Sequence, residues 1–298
     1  MRPFISSISV SISISIAALA ILAVAGVRPA AQTPFRTSTD VVVIDVSVTD
    51  GRRLPITNLT KDDFALKDND AAQQILDFDR EAMPLDVTVT IDVSGSMTRD
   101  DREMVSRAVA QVSDRLGPAD RARVMTFATM TAERTPLAHP PIKVDLSAVG
   151  PGTAIFDALL LSVITPPLPD RRQCVLFMTD GQDTTSIFDA SLVIDTARHA
   201  SAPTTIVLVP NRAPITTRGL LFSVAAQTGG EIVELKGHDQ LSQAFLTALE
   251  NFRTSYVLRY SPAGVSRTGW HDVTVTVKNK DLRVRARRGY WATRPSGR

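Results

Sequence analysis

Residues 85–96 constrain the rest of the chain more than any other stretch. Leu85 to Ile91 is a β-branched, largely apolar run, and it closes on Asp92-Val93-Ser94-Gly95-Ser96. Such a run predicts a buried strand of the kind found in parallel sheets. A carboxylate and two hydroxyls arrive at the strand's end, where a tight turn permitted by Gly95 points all three at one spot above the sheet. Oxygen donors gathered at one point suit a hard divalent cation.

Two later stretches bring more of the same chemistry. Gly152-Thr153 opens a helical pattern, and the apolar run Cys174-Val175-Leu176-Phe177-Met178-Thr179 ends in Asp180-Gly181. Open α/β sheets bind their ligands beyond the carboxyl ends of the strands, which is where all three pieces fall. Asp and Ser are also common turn and capping residues, so Asp-x-Ser-x-Ser alone does not separate a cation site from a cap. Thr153 and Asp180, in that order and each at its own strand-to-helix junction, make the difference.

These residues resemble the metal-ion-dependent adhesion site of the von Willebrand factor type A domain: Asp-x-Ser-x-Ser, then a distant Thr, then a distant Asp. Every position is matched, by Asp92, Ser94, Ser96, Thr153 and Asp180. The resemblance implies that the hydroxyls of Ser94, Ser96 and Thr153 coordinate Mg²⁺ or Mn²⁺ directly, with Asp92 and Asp180 close by and partly bridged through water. Neutral hydroxyls leave such a cation under-neutralised, with a position open for an anionic oxygen from elsewhere. A partner protein presenting Asp or Glu would fill it.

From Leu85 onward strands and helices alternate. A helical spacing of Met104, Ala108, Val112 and Leu116 is stopped by Gly117-Pro118, and a strand follows at Arg123 to Ala128. Thr131 to Pro136 reads as an edge strand, and the alternation continues through Ile155 to Ile164, Arg172 to Asp180, Ala190 to Ala200, Thr204 to Val209, Thr217 to Thr228, Glu231 to Leu235 and Gln240 to Phe252. The expected fold is α/β: a doubly wound, mostly parallel, Rossmann-like sheet over residues 85–253. The flanks are β-rich instead. Val41 to Val48 is β-branched, Asn69-Asp70 punctuates a hairpin, and Val273, Val275 and Val277 alternate cleanly. Neither flank has enough strands to stand alone, so residues 38–82 and 254–291 are expected to associate into one β-sandwich-like unit. The closing run Arg287-Arg288-Gly289-Tyr290-Trp291 adds a broader resemblance to bacterial exported proteins related to the von Willebrand factor type A domain.

The first 31 residues stand apart. Arg2 precedes an uncharged stretch from Phe4 to Val27, and Ala23-Val24-Ala25 and Pro29-Ala30-Ala31 supply small residues for cleavage. This reads as a secretory signal, with an uncleaved anchor as the alternative, and places the protein outside the cytoplasm, periplasmic or secreted. The chain carries 33 Lys and Arg against 31 Asp and Glu, and Arg2 and Arg28 both fall in the leader, so the remainder is balanced. Bulk attraction to nucleic acid is therefore not expected. Arg283, Arg285, Arg287 and Arg288 read as the solvent face of an alternating strand. Cys174, the one cysteine, excludes an intramolecular disulfide and reads as a small buried apolar residue.

Three function classes follow. The first is an exported, cation-dependent binding module whose rim comprises residues 97–101, 150–152 and 182–188. The second, a metal-dependent hydrolase, has little support: His139, His199, His238 and His271 are scattered singly in positions suited to the surface, and no Walker-type Gly-rich Lys loop is present. No enzymatic activity is expected. The third is a structural protein whose metal only stabilises the fold.

Overall fold

The computed structural model describes residues 41–80, 83–147, 150–166, 168, 170–210 and 215–293, so the leader lies outside the described residues. Four strands come first: β1 (Val42–Thr49), β2 (Phe64–Asp68), β3 (Ala71–Gln73) and β4 (Ile75–Asp79). The alternating series runs β5 (Leu85–Asp92), α1 (Arg99–Arg115), β6 (Arg121–Phe127), β7 (Thr131–Ala138), α2 (Ile155–Val163), β8 (Arg172–Thr179), α3 (Ala190–His199), β9 (Thr204–Leu208), α4 (Arg218–Thr228), β10 (Ile232–Glu234) and α5 (Leu241–Arg253). β11 (Tyr256–Tyr260), β12 (Gly269–Val277), β13 (Arg283–Ala286) and β14 (Gly289–Ala292) close the chain.

The alternating series builds a six-stranded sheet in the order β10-β9-β8-β5-β6-β7. Every pairing in it is parallel except that of β7, an antiparallel edge on β6. Side chains leave successive strand residues on opposite faces, so β8 divides its apolar run between two layers. Cys174, Leu176 and Met178 face α1 and α5, packing with Val105, Val109, Phe245 and Leu249. Val175 and Phe177 face the other way, with Leu159 of α2, Val193 of α3 and Leu221 of α4. β5 is buried along its whole length, but only one of its faces is apolar. On the other, Thr90 shares a 2.7 Å hydrogen bond with Ser162, Thr88 accepts one from Arg123, and Asp86 pairs with Arg121 and Arg171. These partners remove the desolvation cost that would otherwise argue against a polar face there.

The flanking strands form two four-stranded sheets, β13-β1-β11-β4 and β14-β12-β2-β3. Each takes strands from both ends of the chain: β1 pairs antiparallel with β11 and β13, and β12 pairs antiparallel with β2 and β14. Their inner faces share one core, in which Ile44, Val46 and Leu258 meet Phe64, Leu66 and Val273. Tyr256 packs against Phe64 and Phe78 with ring centroids 5.1 and 5.3 Å away. Arg172, at the start of β8, reaches out of the α/β sheet to Asp45 of β1 at 2.6 Å and lies over the Phe252 ring of α5. That contact ties the two layers' cores at the end of the sheet opposite the Asp-x-Ser-x-Ser turn.

Two sequence-based expectations need correction. The arginine cluster is a solvent face only in part: Arg283 and Arg288 are exposed, whereas Arg285 pairs with Glu231 at 2.9 Å and Arg287 donates to the carbonyls of Gly289 and Arg198. Burial holds the Arg285 and Arg287 guanidinium groups below their ordinary range. His271 is not at the surface either. It is fully buried in β12, 2.7 Å from an equally buried Asp68.

Candidate metal centre

The centre is assembled from three loops at the carboxyl ends of β5, β6 and β8. β5 delivers Asp92 into the interior, 2 % exposed, and the chain turns at once. The Asp92 carboxylate holds that turn: Oδ1 accepts from the Ser94 backbone N–H at 3.0 Å, and Oδ2 accepts from the Thr179 hydroxyl of β8 at 3.0 Å. Ser94 Oγ then lies 3.2 Å from Ser96 Oγ, and Ser96 donates to Asp180 Oδ2 at 3.0 Å. Asp92, Ser94, Ser96 and Asp180 thus meet at one spot. α1 starts immediately beyond, with Thr98 and Asp101 in a reciprocal capping box.

Thr153 reaches the same region through its backbone. Ser94 forms an isolated parallel bridge with Gly150, which lays the 150–153 loop alongside the Ser94 turn. The Thr153 N–H donates to Thr184 Oγ1 at 2.9 Å, and its carbonyl accepts from the Thr184 and Thr185 N–H groups at 2.9 and 3.3 Å. The Gly152 N–H donates to Thr129 Oγ1 at 3.2 Å. Thr153 is therefore clamped between the loop after β6 and the loop after Asp180, and it is buried. Thr184 falls within rim residues 182–188 and Thr179 stands one residue before Asp180, but nothing in the sequence marks either, or Thr129, as a clamp.

Electrostatics favour a cation here. Burial, with the nearby charge of Asp180, pushes the Asp92 carboxyl up to about 6 against the opposing Ser94 hydrogen bonds. A buried carboxylate raised in this way and set among hydroxyl oxygens would be relieved by a bound cation. Among the described residues no group of three or more His, Cys, Asp or Glu side chains gathers to hold a metal. The donor set is instead hydroxyl and carboxylate oxygen, which fits a hard divalent cation better than a soft one. Cys174 takes no part: burial raises its thiol to about 12.

The loop after Asp180 also supports α2. Asp183 and Ser186 accept from the Phe156 N–H at its first turn, and the Asp157 carboxylate accepts from the N–H groups of Ile187 and Phe188. Rim residues 182–188 are thereby fixed by backbone bonds, while the Ile187 side chain stands 87 % exposed.

No protein-family model matches the chain, and no curated protein matches it. Solved structures do. The chain is similar to a von Willebrand factor type A protein from Catenulispora acidiphila, with 13 % identity and a TM-score of 0.46 over 88 % of this chain and 76 % of that one. It is similar to proximal thread matrix protein 1 from the mussel byssus with a zinc-occupied MIDAS motif, with 16 % identity and a TM-score of 0.48 over 63 % of this chain and 50 % of that one. An aerotolerance-related membrane protein from Bacteroides fragilis gives 17 % identity and a TM-score of 0.43 over 56 % of this chain and 98 % of that one. In its mostly parallel central sheet, flanked by helices on both faces and carrying Asp-x-Ser-x-Ser at the end of a middle strand, the chain resembles von Willebrand factor type A domain proteins.

Proposed function

We propose that this protein is an exported, divalent-cation-dependent binding module that captures an Asp or Glu side chain of a partner protein. The observation that carries the reading is the meeting of Asp92, Ser94, Ser96 and Asp180 within hydrogen-bond distance at the carboxyl ends of two adjacent strands. Ser94, Ser96 and Thr153 would hold Mg²⁺ or Mn²⁺ by their hydroxyls, and Asp92 and Asp180 would balance its charge. The cation supplies an electrophilic point that a partner's carboxylate can complete. The chain's residues do the rest: the Asp92 and Thr179 bonds fix the turn, the Thr184 clamp fixes Thr153, and the rigid rim selects what approaches. Export rests on the leader-like first 31 residues. The expected result is binding of an acidic partner that is lost in chelator and restored by Mg²⁺ or Mn²⁺. Calorimetry showing no cation binding by the metal-free protein would refute the reading.

Gly152 gives a separate check. A Cβ there would lie 2.5 Å from Thr185 Cγ2 and 3.1 Å from Thr129 Oγ1, so a side chain must push apart the two loops that clamp Thr153. Gly152→Val is expected to weaken cation binding about tenfold, in the range of losses from misoriented ligands. Overpacking should cost about 1–3 kcal/mol of stability in addition. Wild-type cation affinity in this variant would mean that Thr153 does not contribute through its position.

A further inference from the structure

Beside the metal centre an open groove of about 590 Å³ runs along α1, walled on the far side by residues 144–147. It begins at Arg99, three residues after Ser96, and continues past Arg102 to Arg107. Its charges are unevenly answered. Glu103 is taken by Arg99 at 3.1 Å in a pair with both side chains well exposed, and Asp145 accepts from the Ser147 N–H. Arg102 donates to the Met97 carbonyl and Arg107 is exposed, and neither has a carboxylate partner among the described residues.

We infer that this groove is a second acidic subsite, which takes the carboxylates that follow the metal-bound one in an extended partner segment. The inference rests on the cation-site reading and narrows it to a partner class: an extended, multiply acidic peptide strand. Length agrees with this. Arg99 to Arg107 spans about 12 Å of helix, which about four extended residues cover. Side chains of an extended strand alternate, so acids at every second position fall on the arginine side. An exposed pair such as Arg99–Glu103 is worth little, so a ligand carboxylate can replace it at small cost. The charge also explains how a balanced chain can attract an acidic partner locally.

The test compares two blocked, fluorescently labelled Gly-Ser peptides by anisotropy in saturating Mg²⁺. One carries a single Asp, and the other carries that Asp followed by two more at alternate positions. The triacidic peptide is expected to bind about five- to tenfold tighter at low ionic strength, the sum of two modest exposed pairs. The advantage should disappear in Arg107→Glu, an exposed groove position on α1 outside the 97–101 rim, while calorimetric Mg²⁺ affinity and single-Asp affinity stay within about twofold of wild type, as expected of a site outside the cation's immediate contacts. Equal affinities for the two peptides, or an advantage that survives the Arg107 reversal, overturns the groove and leaves the cation site standing. Absence of chelator-sensitive binding by both peptides overturns the two readings together.

Discussion

Asp92→Asn is expected to lower Mg²⁺ affinity by about 10–100-fold while raising the thermal stability of the metal-free protein at pH 8. The two effects have one cause. Asp92 is buried beside Asp180, and its carboxyl is pushed up to about 6 from an ordinary 3.8. A raised carboxyl favours the folded state while protonated: stability falls as pH rises from the unfolded value to the folded one, and stays lower above it. At pH 8 the ionised group therefore costs on the order of 3 kcal/mol when no cation is present. Asparagine keeps an acceptor for the Ser94 N–H and drops the charge. Differential scanning in chelator reads the gain, and calorimetry reads the lost cation affinity. Ser94→Ala should lower affinity without the stability gain, because it removes a neutral donor. Wild-type affinity in both variants would remove Asp92 and Ser94 from the cation site.

The parts of this molecule that could be read in its sequence are those where the chemistry is local. Leu85 to Asp92 and Cys174 to Asp180 announce buried strands by composition, and their terminal oxygens announce a shared spot because adjacent parallel strands end side by side. In the structure β5 and β8 are such neighbours. The Thr153 clamp was not legible, since Thr129 and Thr184 act on backbone N–H groups and any hydroxyl residue in either loop would look the same. Arg287-Arg288-Gly289 reads as the end of one alternating strand, and the break between β13 and β14 as a separate strand was not legible. The glycine is required by distant partners: a Cβ at Gly289 would fall 2.1 Å from the His271 carbonyl and 2.4 Å from the Trp270 ring. The arginine run likewise looked solvent-facing because alternation shows that a strand has two faces, not that another layer covers one of them. Glu231 and Arg198, which meet Arg285 and Arg287, belong to the α/β part of the chain.

The burial of His271 was hidden by sequence distance, and it leads to the largest stability effect expected here. Asp68, at the end of β2, is fully buried and accepts three hydrogen bonds: from His271 Nδ1 at 2.7 Å, Tyr260 Oη at 2.8 Å and Tyr290 Oη at 2.9 Å. The donors sit on β12, β11 and β14, so one carboxylate from the first β-rich segment holds three strands of the last. It also bridges the two sheets, since Tyr260 lies in one and Asp68, His271 and Tyr290 in the other. Desolvation raises the pKa of both phenols, keeping them protonated as donors. Asp68→Ala would leave these donors without their acceptor, with His271 and Tyr260 fully buried. Breaking a buried pair from one side costs about 3–5 kcal/mol, a large share of the ~5–15 kcal/mol that typically separates folded from unfolded domains. Asp68→Asn retains an acceptor and should cost less, about 1–3 kcal/mol. Urea unfolding followed by near-UV dichroism would rank the three proteins, wild type above Asn above Ala. The cation site lies at the far end of the α/β sheet, so Asp68→Asn should bind Mg²⁺ as wild type does. An Asp68→Ala midpoint equal to wild type would show that the two sheets are held by their apolar core alone.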